Sequence, residues 1–278
     1  MDSLLSTEWL AAHLNQGDVK IVDSSWHLPA SGRSGPEEYR AAHIPGAVYL
    51  DIDEVADTAN PAPHALPSAA DFGSALAALG IGRDDRIVVY DNSPLRTAAR
   101  GWFMLGHFGA SRVAILDGGL QKWLAEGRLT ESGEATPRLA RFEAAEAAGD
   151  IITKAELLAG VDTPLLDARG KGRFEGSEPE PRAGIASGHI PGARNLPFGS
   201  LYREDGRFKP VEELRRLFAE AGIDPERPFV ASCGSGVTAS SLLFAAHLIG
   251  NDHSRLYDGS WSEWGADPAT PKELGPAA

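Results

Sequence analysis

The sequence predicts an α/β protein with two tandem domains, each a mainly parallel sheet flanked by helices. Three observations lead to this prediction. The chain repeats itself once, short apolar segments are bounded by Gly, Asp and Pro, and longer segments of helical period lie between them. Parallel strands need crossover connections, and the crossover helices cover the two faces of the sheet. Strands that alternate with helices therefore indicate an α/β fold in each domain.

The repeat consists of segments that recur in the same order after about 140 residues. Its clearest part is the sequence His-Ile-Pro-Gly-Ala, which occupies residues 43–47 and again residues 189–193. Matches that keep their order are typical of tandem copies of one structural unit. Further matching pairs are Ile21–Asp23 with Leu165–Asp167, and Leu116–Gly119 with Tyr257–Ser260.

The boundary between the two copies is predicted in the polar stretch 130–149, where no clear apolar period is present. Linkers between domains are typically polar and contain Gly and Pro. We therefore expect a first domain over residues 1–135, a linker over residues 136–150 and a second domain over residues 151–278.

Individual elements follow from the apolar pattern. Continuous apolar runs predict buried strands at Ile87–Tyr90, Val113–Leu116 and Phe229–Ser232, because parallel strands are covered on both faces. Helical period predicts helices over Val211–Ala221 and Thr238–Ile249. In such folds, functional residues gather at the carboxyl ends of the strands, where loops lead into helices.

The composition limits the classes of partner. The chain of 278 residues carries a formal net charge of -13 and has a pI near 5.0, so nucleic acids and anionic membrane surfaces would repel it. No segment approaches the ~20 apolar residues of a membrane-spanning helix. The segment Met1–Leu14 resembles neither a secretory signal nor a transit peptide. We expect neither a nucleic acid nor a membrane as partner.

Cys233 is the only cysteine in the sequence. This count excludes an intramolecular disulfide, a Cys-x-x-Cys redox pair and a zinc site with several thiolates, and it favours a reducing, cytoplasmic setting. The sequence has no complete dinucleotide or P-loop fingerprint and no metal-ligand spacing, so we expect no cofactor and no metal.

Cys233 lies between a predicted strand and a predicted helix, and the loop continues as Gly234-Ser235-Gly236. Glycines let the backbone curl, and a curled loop can turn successive N–H groups toward one point, where they bind an anion. The following helix adds positive potential at its N-terminus. Both effects stabilise a thiolate. A lone cysteine is more often a small buried apolar residue, but that role requires no Gly-x-Gly sequence.

Three segments, Cys233–Ala239, Tyr257–Trp264 and Gly172–Ile185, resemble 3-mercaptopyruvate sulfurtransferases of the rhodanese superfamily, as do both His-Ile-Pro-Gly-Ala sequences. The resemblance spans nearly the whole chain. It implies that the first copy is structural and that the second copy is catalytic. The residues agree, because the first copy has Asp91 where the second has Cys233, and an aspartate cannot carry sulfur.

The resemblance also implies the reaction. The thiolate of Cys233 takes sulfur from 3-mercaptopyruvate and becomes a persulfide, while pyruvate leaves. The sulfur then passes to a thiol, such as thioredoxin or a small thiol, or to cyanide. Covalent catalysis of this kind divides one transfer into two easier ones. Because the chain has no second cysteine, the acceptor must come from outside.

The remaining site residues are assigned by the same resemblance. Arg173 and Arg182 match the substrate-binding arginines of the family, whose planar forks donate two parallel hydrogen bonds to a carboxylate. Asp53 and His64, from the first copy, match an aspartate and a histidine that form a proton relay with Ser235. The loop residues expected to contact the substrate are Gly234, Gly236, Val237 and Thr238.

Residues of these types can also have purely structural roles. Two arginines in a polar loop are often solvated charges, hydroxyls in such loops often cap the next helix, and a His or Asp in a Pro-rich loop is often structural. His43 and His189 occur in both copies, including the copy without the cysteine. We therefore expect them to stabilise a turn rather than to take part in catalysis.

Three other functions compete with sulfur transfer from 3-mercaptopyruvate. A cysteine phosphatase needs an arginine six positions after the cysteine, where this chain has Ala239, so a phosphate dianion would lack its main countercharge. The neutral loop also favours a monoanionic keto acid over thiosulfate, although thiosulfate:cyanide sulfurtransfer stays open as the alternative reaction. A non-enzymatic rhodanese-like binding module is the third possibility, and the intact cysteine loop argues against it.

Overall fold

Two parallel β-sheets organise the chain, of which the computed structural model describes residues 1–277. Each sheet belongs to one compact unit. Unit 1 contains residues 1–56, 66–147 and 203–208, and unit 2 contains residues 57–65, 148–202 and 209–277. A short segment of each copy is therefore part of the unit that the other copy mainly builds.

The sheet of unit 1 has the strand order β1-β5-β4-β2-β3, and its neighbouring strands are parallel. Its central strand is buried from Ile87 to Tyr90, as expected for a strand with helices on both faces. Ser6 and Ser68 begin two of the helices by accepting main-chain N–H bonds. The strands are β1 (Leu4–Leu5), β2 (Val19–Asp23), β3 (Ala47–Tyr49), β4 (Arg86–Tyr90) and β5 (Val113–Leu116), and the helices are α1 (Thr7–His13), α2 (Gly35–Ala41), α3 (Ala69–Ala78), α4 (Ala98–His107) and α5 (Gly119–Ala125), with a 3-10 turn at Pro29–Ser31.

The sheet of unit 2 has the order β7-β6-β8-β9, again with parallel neighbours. Helix α9 is buried on nearly all sides, whereas α8 is amphipathic and buries Leu214 and Phe218. The strands are β6 (Leu165–Asp167), β7 (Arg194–Asn195), β8 (Val230–Ser232) and β9 (Arg255–Leu256), and the helices are α6 (Lys154–Ala159), α7 (Lys171–Glu175), α8 (Val211–Glu220), α9 (Ala239–Ile249) and α10 (Ser260–Trp264), with a 3-10 turn at Phe198–Leu201.

This architecture confirms the predicted fold class of two parallel sheets flanked by helices. Strand β5 has the predicted bounds, and the other four predicted elements, β4, β8, α8 and α9, each differ from the prediction by one residue at one end. Long apolar runs and a sustained helical period are the strongest sequence signals of secondary structure, which is why these elements were accessible from the sequence.

The units differ from the expected domain limits first in the segment 136–147. We expected it in a linker, but it lies in unit 1. Carbonyl groups at the end of a helix lack helical partners and can accept hydrogen bonds from a passing chain. The segment uses carbonyls near the ends of α3 and α4 through the bonds Ala140 N–H to Ala77 O, Ala145 N–H to Phe108 O and Ala147 N–H to His107 O.

The second difference is that two short segments are exchanged between the copies, each belonging to the unit that the other copy mainly builds. Residues 203–208 are held in unit 1, where the N–H of Phe208 donates to Asp117 Oδ1 at 2.9 Å. Residues 57–65 belong to unit 2, and the N–H of Asp57 donates to Ala65 O across the ends of this segment. A sequence repeat gives the order of the copies, but it does not tell on which surface a loop packs. The limits 1–135 and 151–278 could not include this exchange.

The two repeated histidines occupy equivalent places. The Nδ1–H of His43 donates to Tyr39 O at 2.8 Å, and that of His189 donates to Phe174 O at 2.9 Å. Each imidazole is buried and stacks on the ring of the same partner. These contacts agree with the predicted structural role.

The same contacts show where the second copy is longer. Tyr39 precedes His43 by four residues, whereas Phe174 precedes His189 by fifteen. The second copy therefore carries additional chain between its helix and its turn. We call residues 176–186 the insertion.

Asp23 and Asp167 end equivalent strands, but their surroundings differ. The Nε and Nη2 atoms of Arg169 lie 3.0 and 2.7 Å from Asp167 Oδ2. In unit 1 the equivalent of Arg169 is Ser25, whose N–H donates to Asp23 Oδ1 at 2.9 Å. Burial raises the pKa of Asp23 to about 6, and the negative charge of Asp91 adds to this rise.

We expect Asp23→Asn to change how stability depends on pH. The folded-state pKa of about 6 lies above the unfolded value of ~3.9. The protonated carboxyl therefore stabilises the folded state below about pH 4, and this stabilisation is lost as the pH rises through about 6. The variant does not undergo this loss. Its free energy of unfolding relative to the wild type should rise by on the order of 2 kcal/mol from about pH 4 to about pH 8.

Urea unfolding at a series of pH values measures this effect. Asp84→Asn is the control, because it removes an exposed carboxyl from the same unit. A difference between Asp23→Asn and the wild type that stays constant over this pH range would show that Asp23 does not titrate in this way.

Candidate active site

Cys233 comes directly after strand β8 and begins the loop that leads into helix α9. The neighbouring strands β6 and β9 run parallel to β8, so their carboxyl ends meet at the same edge of the sheet. This edge is where parallel-sheet proteins usually bind ligands. Only 1% of the surface of Cys233 is exposed.

The main-chain N–H groups of the loop divide into two sets. Those of Cys233 and Gly236 both donate to Ser260 Oγ, each at 3.1 Å. The predicted convergence of successive N–H groups on the cysteine is therefore incomplete, because these two donate to a hydroxyl. The second set has no hydrogen-bond partner within residues 1–277 and consists of the N–H groups of Gly234, Ser235, Val237, Thr238 and Ala239.

Unit 1 contains an anionic group in the equivalent loop. The carboxylate of Asp91 accepts the N–H of Ser93 and the N–H of Ala98, both at 2.8 Å. Burial raises the pKa of Asp91, and these two bonds act against the rise. Ala98 begins helix α4, as Ala239 begins α9, and Ser93 stands where Ser235 stands in unit 2.

The comparison indicates which amides of unit 2 can hold an anion. In unit 2 the N–H groups of Ser235 and Ala239 are the equivalents of the two that bind Asp91, and they belong to the set without partners within residues 1–277. A carboxylate oxygen is two bonds from Cβ, and so is the outer sulfur of a cysteine persulfide. The loop can therefore hold a negatively charged outer sulfur on Cys233 by the same two amides.

Ser260 was not identified by the sequence analysis. It has a φ of 50°, which is unusual for a residue with a side chain, and its equivalent in unit 1 is Gly119 with a φ of 56°. The hydroxyl of Ser260 donates to Tyr257 O at 2.8 Å and accepts the two amides of the cysteine loop. The exchange of a glycine for a serine between the copies was the signal that could have found it.

Arg173 lies beside the cysteine loop. A Cβ atom placed on Gly234 would be 3.1 Å from Arg173 Nη2, so the guanidinium packs against the loop main chain. Its Nη2 donates to Glu180 Oε2 at 2.5 Å, and its Nε donates to Glu180 Oε1 at 3.3 Å. Sequence reasoning selected Arg173 but not Glu180.

Arg182 is linked to the same loop through Ser262. Its Nη1 donates to Ser262 Oγ at 3.2 Å, and that hydroxyl donates to Gly234 O at 2.6 Å. The N–H of Ser262 also donates to Gly234 O, at 2.9 Å. The structure therefore places both predicted substrate-binding arginines close to the residue that follows Cys233.

Ser235 and His64 are also brought together. His64 Nδ1 and Ser235 Oγ share a hydrogen bond of 2.9 Å, although 171 positions separate the two residues in the chain. Both belong to unit 2, and both are buried. His64 has a φ of 59°, and a non-glycine residue in this region is often found at a functional site.

The other predicted residues are placed as follows. Asp53 lies in unit 1, where its Oδ2 accepts the Nε1–H of Trp26 at 2.6 Å. The side chain of Val237 is buried. Thr238 is the N-cap residue of α9, but its hydroxyl makes no capping bond. The Thr238 hydroxyl therefore does not cap the helix. The main-chain N–H groups of Val237 and Thr238 belong to the set without hydrogen-bond partners within residues 1–277.

The described residues also bear on metals and membranes. Within residues 1–277, no group of three or more His, Cys, Asp and Glu side chains is arranged to hold a metal ion. No helix in this part of the chain is both long enough and apolar enough to span a membrane.

The fold and the cysteine loop define the class of protein. The model of the rhodanese-like domain matches residues 6–126 and residues 153–267, and the chain belongs to this family. The two matched regions confirm the predicted tandem arrangement of rhodanese-like domains.

The individual relatives are sulfurtransferases named for two different sulfur donors. Human 3-mercaptopyruvate sulfurtransferase is 40% identical over 94% of this chain and 91% of the human protein. Rat thiosulfate sulfurtransferase is also 40% identical, with the same coverage of both chains. The crystal structure of SseA from Escherichia coli, described as a 3-mercaptopyruvate sulfotransferase, has a TM-score of 0.86 and 36% identity, and it covers 95% of this chain and 100% of SseA. Overall identity therefore does not select the sulfur donor.

Proposed function

We propose that this chain is a sulfurtransferase that moves sulfur from 3-mercaptopyruvate through a persulfide on Cys233 to an external acceptor and releases pyruvate. The observation that carries the proposal is the set of N–H groups around Cys233 without partners in residues 1–277, two of which are equivalent to those that bind the Asp91 carboxylate in unit 1. They support a negatively charged sulfur without any cation in the loop.

The charges near the loop favour a keto acid as donor. The segment Gly234–Thr238 contains no cationic side chain. Instead, Arg173 packs against Gly234, and Arg182 donates to Ser262, whose hydroxyl donates to Gly234 O. We propose that these two guanidinium groups bind the carboxylate of the keto acid. Guanidinium groups bind carboxylates through two parallel hydrogen bonds. Gly236, Val237 and Thr238 complete the proposed substrate-binding loop.

The first half of the reaction is a transfer between sulfur atoms. The thiolate of Cys233 attacks the sulfur of 3-mercaptopyruvate, an S–S bond forms, and the C–S bond of the donor breaks. The electron pair of that bond passes to the carbon atom and gives the enolate of pyruvate. The proton of the donor thiol ends on this carbon, so the products are pyruvate and a persulfide anion on Cys233.

Ser235 and His64 are proposed to move that proton. Ser235 Oγ receives the proton from the donor thiol and passes its own to His64 Nδ1, and the reverse transfers deliver the proton to the enolate. Asp53 is proposed as a further acid of this relay, as the family resemblance implies. The hydrogen bond of 2.9 Å between His64 and Ser235 supports the first part of this relay.

The second half of the reaction needs a partner from outside, because the chain has one cysteine. We propose a thiol acceptor, either thioredoxin or a small thiol, with cyanide as a simpler alternative that leaves as thiocyanate. A thiol acceptor is available where thiols stay reduced, which supports a cytoplasmic setting.

A comparison of donors tests the proposed substrate. We expect kcat/KM with 3-mercaptopyruvate to exceed that with thiosulfate by at least about tenfold, which corresponds to about 1.4 kcal/mol, because a thiosulfate dianion finds no cation in the loop. Cyanide serves as the common acceptor, and pyruvate or sulfite release is measured. A clear preference for thiosulfate would make the protein a thiosulfate sulfurtransferase. No turnover with either donor and any acceptor would favour a non-enzymatic binding module.

A further inference from the structure

Glu180, in the insertion, lies between two guanidinium groups. Its Oε1 accepts a hydrogen bond from Arg169 Nη1 at 2.7 Å and one from Arg173 Nε at 3.3 Å, and its Oε2 accepts one from Arg173 Nη2 at 2.5 Å. Only 5% of the Glu180 side chain is exposed. A carboxylate in this position holds the two cations in a fixed relation to each other.

We propose that Glu180 is a positioning residue that orients Arg173 for the carboxylate of the sulfur donor, an inference that rests on the proposed function. A guanidinium has two edges that can each donate a pair of hydrogen bonds. Glu180 occupies the edge formed by Nε and Nη2. The other edge, formed by Nη1 and Nη2, has no further partner within residues 1–277, and it is the edge that the donor carboxylate uses.

Glu180 can orient Arg173 because it is itself fixed. Its second partner, Arg169, is fully buried, bonds to both oxygens of Asp167 and to Gly188 O, and stacks on the ring of Trp261. Burial lowers the pKa of Arg169, but the charges and hydrogen bonds of Asp167 and Glu180 outweigh this, so the pKa lies above its ordinary value. Arg169 is therefore always positively charged, and these contacts fix the position of its guanidinium group.

The position of the cysteine loop fits this arrangement. Arg173 Nη2 would lie 3.1 Å from a Cβ atom at position 234, so the absence of a side chain there lets the guanidinium approach the loop main chain. The oriented edge of Arg173 is consequently held next to the residue that follows Cys233. In the proposed arrangement, the carboxylate of a donor whose sulfur contacts Cys233 binds to that edge.

Unit 1 shows that the fold does not require this device. The contacts of the repeated histidines place Glu38 at the equivalent of Arg173, and Ser25 stands at the equivalent of Arg169. Unit 1 has no insertion and thus no equivalent of Glu180. In unit 1 a single arginine, Arg33, donates to Glu38 and to the main-chain oxygen of Asn92, the equivalent of Gly234. Within residues 1–277, two arginines held by one glutamate beside this loop are found in unit 2 alone.

Two variants of Glu180 test the proposal. Glu180→Gln removes the charge, and Glu180→Asp keeps the charge but shortens the side chain, so that it no longer reaches both guanidinium groups. We expect each to raise KM for 3-mercaptopyruvate about tenfold, which corresponds to about 1.4 kcal/mol, with little change in kcat. Glu178→Gln is the matched control, because Glu178 is an exposed acid of the same insertion without an ion pair within residues 1–277.

A double-mutant cycle with Arg173→Ala separates positioning from a structural role. If Glu180 acts through Arg173, adding Glu180→Gln to Arg173→Ala leaves KM unchanged. If Glu180 acts only through Arg169 and the fold, the double variant is impaired further and its melting temperature falls in parallel. A lower KM for Glu180→Gln with an unchanged KM for Glu180→Asp would mean that Glu180 only neutralises charge. Either result overturns the proposal.

Arg173→Lys provides an independent test that keeps Glu180. A lysine retains the positive charge but has no second edge to present to a carboxylate. We expect its KM to rise to a similar extent as that of Glu180→Asp, and an unchanged KM would contradict the role of the free edge. An inactive wild type would instead refute the proposed function, because every KM comparison requires wild-type turnover.

Discussion

Replacement of Cys233 with serine should abolish turnover with every donor. The first step needs a nucleophilic sulfur that can form an S–S bond, and a serine hydroxyl is neither ionised near neutral pH nor able to form that bond. The side chain is buried, and serine has nearly the same shape, so the variant should keep the fold. We expect kcat to fall to the uncatalysed rate.

The assay is pyruvate release from 3-mercaptopyruvate in the presence of cyanide, with the melting temperature of each protein measured in parallel. Ser240→Ala is a suitable control, because it also changes a buried residue close to the loop. The Ser240 hydroxyl donates to Gly236 O and not to the sulfur. Substantial turnover by Cys233→Ser would mean that another group carries the sulfur.

Replacement of His64 with asparagine should lower kcat about 100-fold, the lower end of the usual contribution of a general acid–base group. Asparagine tolerates the φ of 59° at this position better than most residues do, which limits the effect on the fold. It provides no titratable group to exchange a proton with Ser235. We expect KM for the donor to change much less than kcat, because His64 is not proposed to bind the carboxylate.

The relay also predicts the effect of combining two substitutions in one protein. Ser235→Ala should cause a loss of similar size, and the double variant should be no worse than the poorer single variant, since both changes interrupt the same proton path. Steady-state kinetics at several pH values measures this. Additive losses would show that Ser235 and His64 act independently.

Much of the fold was accessible from the sequence because it depends on patterns within short segments. The apolar runs of β4, β5 and β8 and the period of α8 and α9 carry their own signals. The exchange of residues 57–65 and 203–208 between the units carries none, since it depends on how loops pack against distant elements. For the same reason the chain 136–147 could not be distinguished from a free linker.

The site was accessible only in part. Cys233 and its loop stand out because Gly-x-Gly after a strand has a clear physical consequence. Glu180 and Ser260 do not stand out, because a single acid and a single serine are common in loops. Their roles depend on partners far away in the sequence, Arg169 in one case and the amides of the cysteine loop in the other.

Comparison of the two copies would have recovered some of this information. Gly119 and Ser260 share a left-handed backbone, and Ser25 and Arg169 follow equivalent aspartates. Differences of this kind mark the places where the catalytic copy departs from what the fold requires. The comparison also shows how the loop holds a negative charge, because Asp91 in unit 1 occupies the position of Cys233 in unit 2.

The most direct test is a crystal structure of the protein after reaction with 3-mercaptopyruvate and without an acceptor. We predict a second sulfur atom on Cys233 that accepts hydrogen bonds from the N–H groups of Ser235 and Ala239, as the carboxylate of Asp91 does from its own loop. An unmodified cysteine, or an outer sulfur that faces apolar side chains while those amides bind something else, would contradict this account.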